Sequence, residues 1–404
     1  MLIKEVKARK IFNSKREETI QVMVSSNKSK GTASVPSGTS TGTKEVIAFP
    51  KNIDYAVNFV NKFNFRNFKF SNFDDFRKLE LMLHKYDTTK NWAKIGGNTV
   101  LAVEYAILKA FTEKPWYFLS KRAKQLPRPL GKVIGGGKDS DYTVDFQEFL
   151  VCSLDAKSFT DTVNANLQVY NKVEQILKSR YTNFKDERDF EGGWTLDLST
   201  EEILDLLKDV TDQVSEELGF KIRIGIDMAA SALYNGEFYV YRNYSRDEHY
   251  KRLTQDGQID YVLNLIEKYD LFYVEDPLHE EDFKGFSKLT GLAGKRCLIV
   301  GDDLTCTNPI YLRKAIQMKS INSMIVKPNQ IGSLVKTREV LNLCKKNKIV
   351  PIISHRSGET LDASISQLAV GFNIPLIKSG IYGKEREAKI NELYKIEKEI
   401  KEIS

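Results

Sequence analysis

CLIVGDD at residues 297–303 and SMIVK at 323–327 enclose a stretch of helical periodicity at 308–319, so together they read as strand, helix, strand. Each strand is a short, unbroken apolar block, the pattern of a parallel strand buried on both faces. Each also ends on a charged group, Asp302 and Lys327. The pattern repeats outward. FQEFLV carries Glu148, KIRIGID ends on Asp227, LFYVED carries Glu275, IVPIISH ends on His355 and PLIK on Lys378. A weaker eighth run, DFEGG, carries Glu191. Helical segments are expected near 158–180, 200–218, 247–268, 308–319, 332–346 and 359–371. Alternating strands and helices of this kind predict a TIM-type β/α barrel, in which strand ends converge on one rim and build the active site.

Before the barrel, strands are expected at 3–11, 19–24 and 32–35 as a meander, followed by the glycine-rich PSGTSTG at 36–42 and a buried helix over 97–113. The basic, proline-bearing stretch at 121–132 marks the boundary. The expected division is a smaller α+β N-terminal domain, 1–124, and a C-terminal barrel, 125–404. The charged segment 384–402 reads as a solvated closing helix.

Composition narrows the class. With 404 residues and 41% hydrophobic content, the chain is long enough for two globular domains. No apolar run nears the roughly 20 residues that span a bilayer. The start, MLIKEVKARKIF, alternates like a strand rather than forming the apolar core of a signal peptide. Four scattered cysteines fit reduced thiols in the cytoplasm. The net charge of +7 raises nucleic acid as a partner, and residues 59–78 interleave phenylalanines with Lys62, Arg66, Lys69 and Arg77. No nucleic-acid motif accompanies them, so inward phenylalanines under solvated basic heads are the preferred reading.

Asp227, Glu275 and Asp302 place three carboxylates on one rim, where each would hold its neighbours protonated unless a cation intervened. Oxygen ligands without a nearby histidine suit Mg²⁺ better than Zn²⁺. Lys327 is a base once its pKa falls, which burial and nearby cations both favour. Lys378 is a second base, or a clamp for a substrate carboxylate. In SHRSGET, Arg356 can fork onto a phosphate while Ser357 donates a further hydrogen bond. Ser37 and Ser40 offer hydroxyls from the glycine-rich loop.

These stretches resemble enolase over nearly the whole chain, in the family's order. The matches are VPSGTSTG (35–42), GGNTVLAVEYAILKA (96–110), QEF (147–149), EGG (191–193), GIDMAAS (225–231) and VEDPLHEEDF (274–283), then VGDDLTCTNP (300–309), VKPNQIGS (326–333), SHRSGET (354–360) and IKSG (377–380). The resemblance implies a glycolytic hydro-lyase, a homodimer with two Mg²⁺ per subunit, that converts 2-phosphoglycerate to phosphoenolpyruvate. It implies Asp227, Glu275 and Asp302 as ligands of the first ion and Ser40 as a ligand of the second. Lys327 would take the C2 proton, and Glu191, with Glu148 at its partner position, would protonate the departing hydroxyl. Arg356 and Ser357 would contact phosphate, His355 would line the pocket, and Lys378 would hold substrate near the metals.

The chain also departs from the family. Asp139 stands where GGxHA places a substrate-facing histidine, GDEGG becomes DFEGG, and DSRGNP becomes Asn13-Ser14-Lys15-Arg16-Glu17-Glu18. These changes leave open a paralogue abstracting an α-proton from a different phosphorylated acid, or a catalytically weak relative kept for binding.

Overall fold

The structure, a computed structural model, describes residues 1–38, 42–66, 68–137, 144–180 and 184–403. The chain opens as an antiparallel meander of β1 (Ile3–Phe12), β2 (Glu18–Ser26) and β3 (Lys30–Ser34). Two short helices follow, α1 (Ile53–Lys62) and α2 (Asp75–Leu83). They bury Phe65, Phe70, Phe73 and Phe76, so those rings are not available to stack on bases. Next comes α3 (Gly97–Phe111), whose apolar residues occur all round the helix. It is accordingly buried almost throughout, against β2 and β3. The short α4 (Pro115–Leu119) leads into the barrel.

The barrel contains β4 (Arg128–Gly135), β5 (Glu148–Cys152), α5 (Phe159–Arg180), β6 (Trp194–Thr195), α6 (Thr200–Leu218) and β7 (Arg223–Asp227). A small hairpin, β8 (Tyr239–Tyr241) with β9 (Lys251–Leu253), precedes α7 (Gln255–Tyr269). Then come β10 (Tyr273–Glu275), α8 (Phe283–Ala293), β11 (Leu298–Gly301), α9 (Pro309–Met318) and β12 (Ser323–Val326). The last elements are α10 (Pro328–Ile331), α11 (Leu334–Asn347), β13 (Val350–Ser354), α12 (Ser364–Gly371), β14 (Leu376–Lys378) and α13 (Lys384–Ile403). The ring runs β4, β5, β7, β10, β11, β12, β13, β14 and closes by pairing β14 with β4. Its interior is filled by Leu130, Leu150, Cys152, Tyr273, Val300, Ile325, Ile352 and Leu376, each aliphatic side chain contributing about 1.5–3 kcal/mol by burial. All four cysteines are free and buried, and burial pushes the thiols of Cys152, Cys297 and Cys344 up to about 12.

Three expectations are corrected. The barrel is not wholly parallel, because β5 runs antiparallel to both β4 and β7. The DFEGG run is not a barrel strand. Its place is taken by β4, drawn from the basic stretch read as a boundary, while Glu191 lies in a turn before the two-residue β6 at the edge of β4. Finally, α13 is not simply solvated: its Arg386 and Lys389 are buried, donating to Arg356 O, Ser357 O and Glu359. Those carbonyls and that carboxylate give the two cations partners that water would otherwise supply.

Candidate active site

Reversal of β5 explains how Glu148 reaches the rim. A strand running the opposite way presents its first residue where its neighbours present their last. Glu148 therefore stands opposite Asp227, and Asp227 opposite Glu275, in one row across three strands. Lys378, last residue of β14, spans the mouth to all three. Its Nζ lies 2.8 Å from Glu148, 2.9 Å from Asp227 and 2.7 Å from Glu275. Lys327, just past β12, pairs with Asp302, which also accepts from Gln330 at 2.9 Å. Asp276 braces this corner by accepting the backbone N–H groups of Asp302 and Asp303.

Four buried carboxylates thus face two ammonium groups. Burial, then Asp227 beside it, pushes Glu275 well above the usual carboxylate range. Its Oε1 is buried without a hydrogen-bond partner. An orphaned carboxyl oxygen in an all-oxygen donor set fits a hard divalent cation, whose charge would also favour the ionised form. For Lys327 the outcome differs from the expected lowering: burial favours the neutral amine, but Asp302 outweighs it and holds the ammonium. Lys327 can turn into a base only when other positive charge neutralises that carboxylate.

Glu191 and Glu148 form a hydrogen-bonded pair at the same mouth. Burial raises Glu148 to about 8, against the pull of Lys378 and Lys132. Burial raises Glu191 too, but Lys132 overrides this and holds it below its usual range. The pair therefore titrates as one unit, in which burial favours the protonated form and Lys132 the charged one.

SHRSGET is tied to the N-terminal domain. Ser37 and Gly358 exchange backbone hydrogen bonds, 2.9 Å each way. Arg356 meets Glu45 through both Nη atoms, and Asn329 Oδ1 at 3.0 Å. A Cβ on Gly38 would come within 1.9 Å of the guanidinium, so only glycine allows that loop so near. His355 is buried, neutral because of that burial, and neither ring nitrogen has a hydrogen-bond partner. A small cavity is lined jointly by Gly38, Glu148, Glu191, Asp227, Lys327, His355, Arg356, Ser357 and Lys378. A larger cleft of about 610 Å³ lies elsewhere, between the N-terminal sheet and α13, and none of these residues lines it.

The enolase C-terminal TIM barrel domain model matches residues 123–404, and the enolase N-terminal domain model matches residues 3–117. The chain belongs to the enolase family. The enolase of Picrophilus torridus is 39% identical over 403 residues, covering 98% of this chain and 99% of its own. That of Methanothermobacter thermautotrophicus is 40% identical over 408 residues, covering 99% and 97%. With such relatives along its whole length, the chain is a hydro-lyase of the phosphopyruvate hydratase type, dehydrating 2-phosphoglycerate to phosphoenolpyruvate.

Within this enolase, the structure brings together every sequence-derived site residue that it describes. Ser40 and Asp139 lie outside the described residues. Sequence reasoning missed four groups: Glu45, Asp276, Asn329 and Lys132. Lys132 is buried on β4 with its Nζ 2.6 Å from Asp189, 2.9 Å from Glu191 and 3.6 Å from Glu148. A lysine inside an apolar strand was the signal for it. Two departures from the family also meet in space, because Lys15 lies 5.1 Å from the centre of the Phe190 ring.

Proposed function

We propose that Lys327 takes the C2 proton of 2-phosphoglycerate and that the Glu191–Glu148 pair delivers a proton to the C3 hydroxyl as it leaves. The C2–H electron pair becomes the new C2–C3 double bond, the C3–O bond breaks, and hydroxide departs as water. Lys327 ends with one more proton and the carboxyl pair with one fewer. Arg356 and Ser357 hold the phosphate, His355 lines the pocket, Lys378 keeps the substrate beside the carboxylates, and Asp139, outside the described residues, is a substrate-binding candidate by its place in the sequence. Asp227, Glu275 and Asp302 would hold one Mg²⁺ and Ser40 would help hold a second. Bound Mg²⁺ supplies the positive charge that stabilises the doubly anionic carboxylate formed on C2 deprotonation. Pairing a lysine base with Mg²⁺ is general to this superfamily and not an inference from this chain.

The observation that carries the assignment is the convergence of Lys327, Lys378 and the Glu191–Glu148 pair on one cavity. Base and acid both line it, within reach of one substrate, as removal of H and OH from adjacent carbons requires. The reading includes a division of the chain at 124/125, a cytoplasmic location and a homodimer. Among the described residues no helix is long and apolar enough to cross a membrane. Phe12 and Leu361, 71% and 67% exposed, line the larger cleft and offer apolar surface to a second copy. The test is ultraviolet absorbance of the enol product with and without Mg²⁺. Mg²⁺-dependent turnover is expected; its absence in protein that binds Mg²⁺ would overturn the assignment.

A further inference from the structure

Glu191 must be aimed, and the turn that carries it has little secondary structure of its own. Two devices stitch that turn to the barrel. The short β6 pairs with the end of β4, Trp194 against Ile134 and Thr195 against Gly135. Beneath the turn, Asp189 Oδ1 accepts the backbone N–H groups of Glu191 and Gly193, each at 2.9 Å. The other oxygen of Asp189 lies 2.6 Å from Lys132 Nζ. A chain of contacts therefore runs from the β4 backbone through Lys132 and Asp189 to the backbone of Glu191. A second branch runs from the same ammonium to the Glu191 carboxylate itself at 2.9 Å. The strand is shaped to admit this arrangement, since a Cβ on Gly135 would stand 1.8 Å from Asp189 Oδ2.

Asp189, Glu191 and Glu148 are all buried, and three buried carboxylates repel one another unless a cation gathers them. Lys132 lies within 3.6 Å of each. Lys327 and the carboxylates of Asp302 and Glu275 lie apart from this cluster, joined to it through Lys378.

We propose that Lys132 is the positioning residue of the water-loss half of the reaction: it gathers Asp189, Glu191 and Glu148 and points Glu191 at the departing hydroxyl, with no part in C2 deprotonation. The proposal rests on the assignment of Glu191 and Lys327 given above. It separates two steps that share one active site. Loss of Lys132 lets the Glu191 turn relax while the base and the phosphate contacts keep their places.

The test compares water loss with exchange of the C2 hydrogen for solvent deuterium in Mg²⁺-loaded Lys132→Met. Dehydration is expected to fall about 100-fold, within the usual range for a general acid. C2 exchange and the KM for 2-phosphoglycerate should stay within about threefold, and Lys132→Arg should recover part of the loss. A fall of exchange in step with dehydration, or unchanged dehydration, in a folded variant would overturn the proposal. If Lys132→Met does not fold, Asp189→Asn serves, because it keeps the Oδ1 acceptor and weakens only the tie to Lys132. The same split is expected of it, and a parallel loss of both rates would overturn the proposal. Failure of the underlying assignment would show separately, as wild-type protein without Mg²⁺-dependent turnover.

Discussion

Glu45 meets Arg356 end-on from the opposite domain, its two carboxylate oxygens 3.1 Å and 3.0 Å from the two Nη atoms. Both side chains are buried, so this fork is an internal tie between the N-terminal domain and the barrel rim. Replacing Glu45 with Gln should leave an imperfectly matched buried guanidinium, at a cost of about 3 kcal/mol. Denaturant titration of Glu45→Gln would measure it. A midpoint equal to that of the wild type would show that the pair carries no net stability.

Lys327→Ala should lower turnover by at least about 1,000-fold, within the span attributed to a positioned base. Mg²⁺-dependent binding of 2-phosphoglycerate should persist, measured by calorimetric titration. Residual activity within tenfold of wild type would remove Lys327 from the base role.

Lys378 neutralises three carboxylates, so Lys378→Met leaves Glu148, Asp227 and Glu275 facing one another without it. The metal-free variant should melt below the wild type, and Mg²⁺ should restore more stability to the variant than to its parent. Saturation at 100 times Kd is worth about 2.7 kcal/mol to any protein that binds only when folded. Equal Mg²⁺-induced shifts in both proteins would contradict the picture of Lys378 sharing the metal's carboxylates.

A pH effect is expected far from the rim. Glu104 on α3 is raised well above the ordinary carboxylate range by burial and then by Glu80 on α2. A carboxyl raised on folding favours the folded state below its unfolded value, near 4.3. That contribution is lost as pH rises toward the folded value, because the unfolded chain ionises first. Glu104→Gln removes the penalty and can still accept the Leu334 N–H that now reaches Glu104 at 2.8 Å. Its melting temperature should gain on the wild type steadily from pH 5 to pH 9. Parallel curves would mean that Glu104 does not titrate between the two states.

Much of the barrel was legible because β7, β10, β12, β13 and β14 are apolar runs that close on a charged or polar rim group. The direction of β5 was not, since an apolar run reads alike both ways and only its partners orient it. β4 was taken for a linker because Pro129 and Lys132 are unusual in a buried strand. Lys132 makes sense only beside Asp189 and Glu191, more than fifty positions later. α8 was overlooked because Gly285, Gly291 and a short span weaken its helical signal. At the site, side chains announced by strand ends were found, whereas Glu45, from a loop of the N-terminal domain, and Asn329, on the short α10, were not. Arg386 and Lys389 misled for a related reason. Charge along a helix suggests solvent until the carbonyls that receive it are seen.

The four shielded thiols make this protein its own set of opening reporters. Cys152 lies inside the barrel, Cys344 on α11 beneath its surface, and Cys306 under the glycine-rich loop, where a Cβ on Gly42 would sit 2.5 Å from its sulfur. None offers a thiolate to an alkylating reagent while its surroundings stay closed. The order in which they become labelled under native conditions would therefore time the opening of the rim, the outer helices and the barrel separately, without any engineered probe.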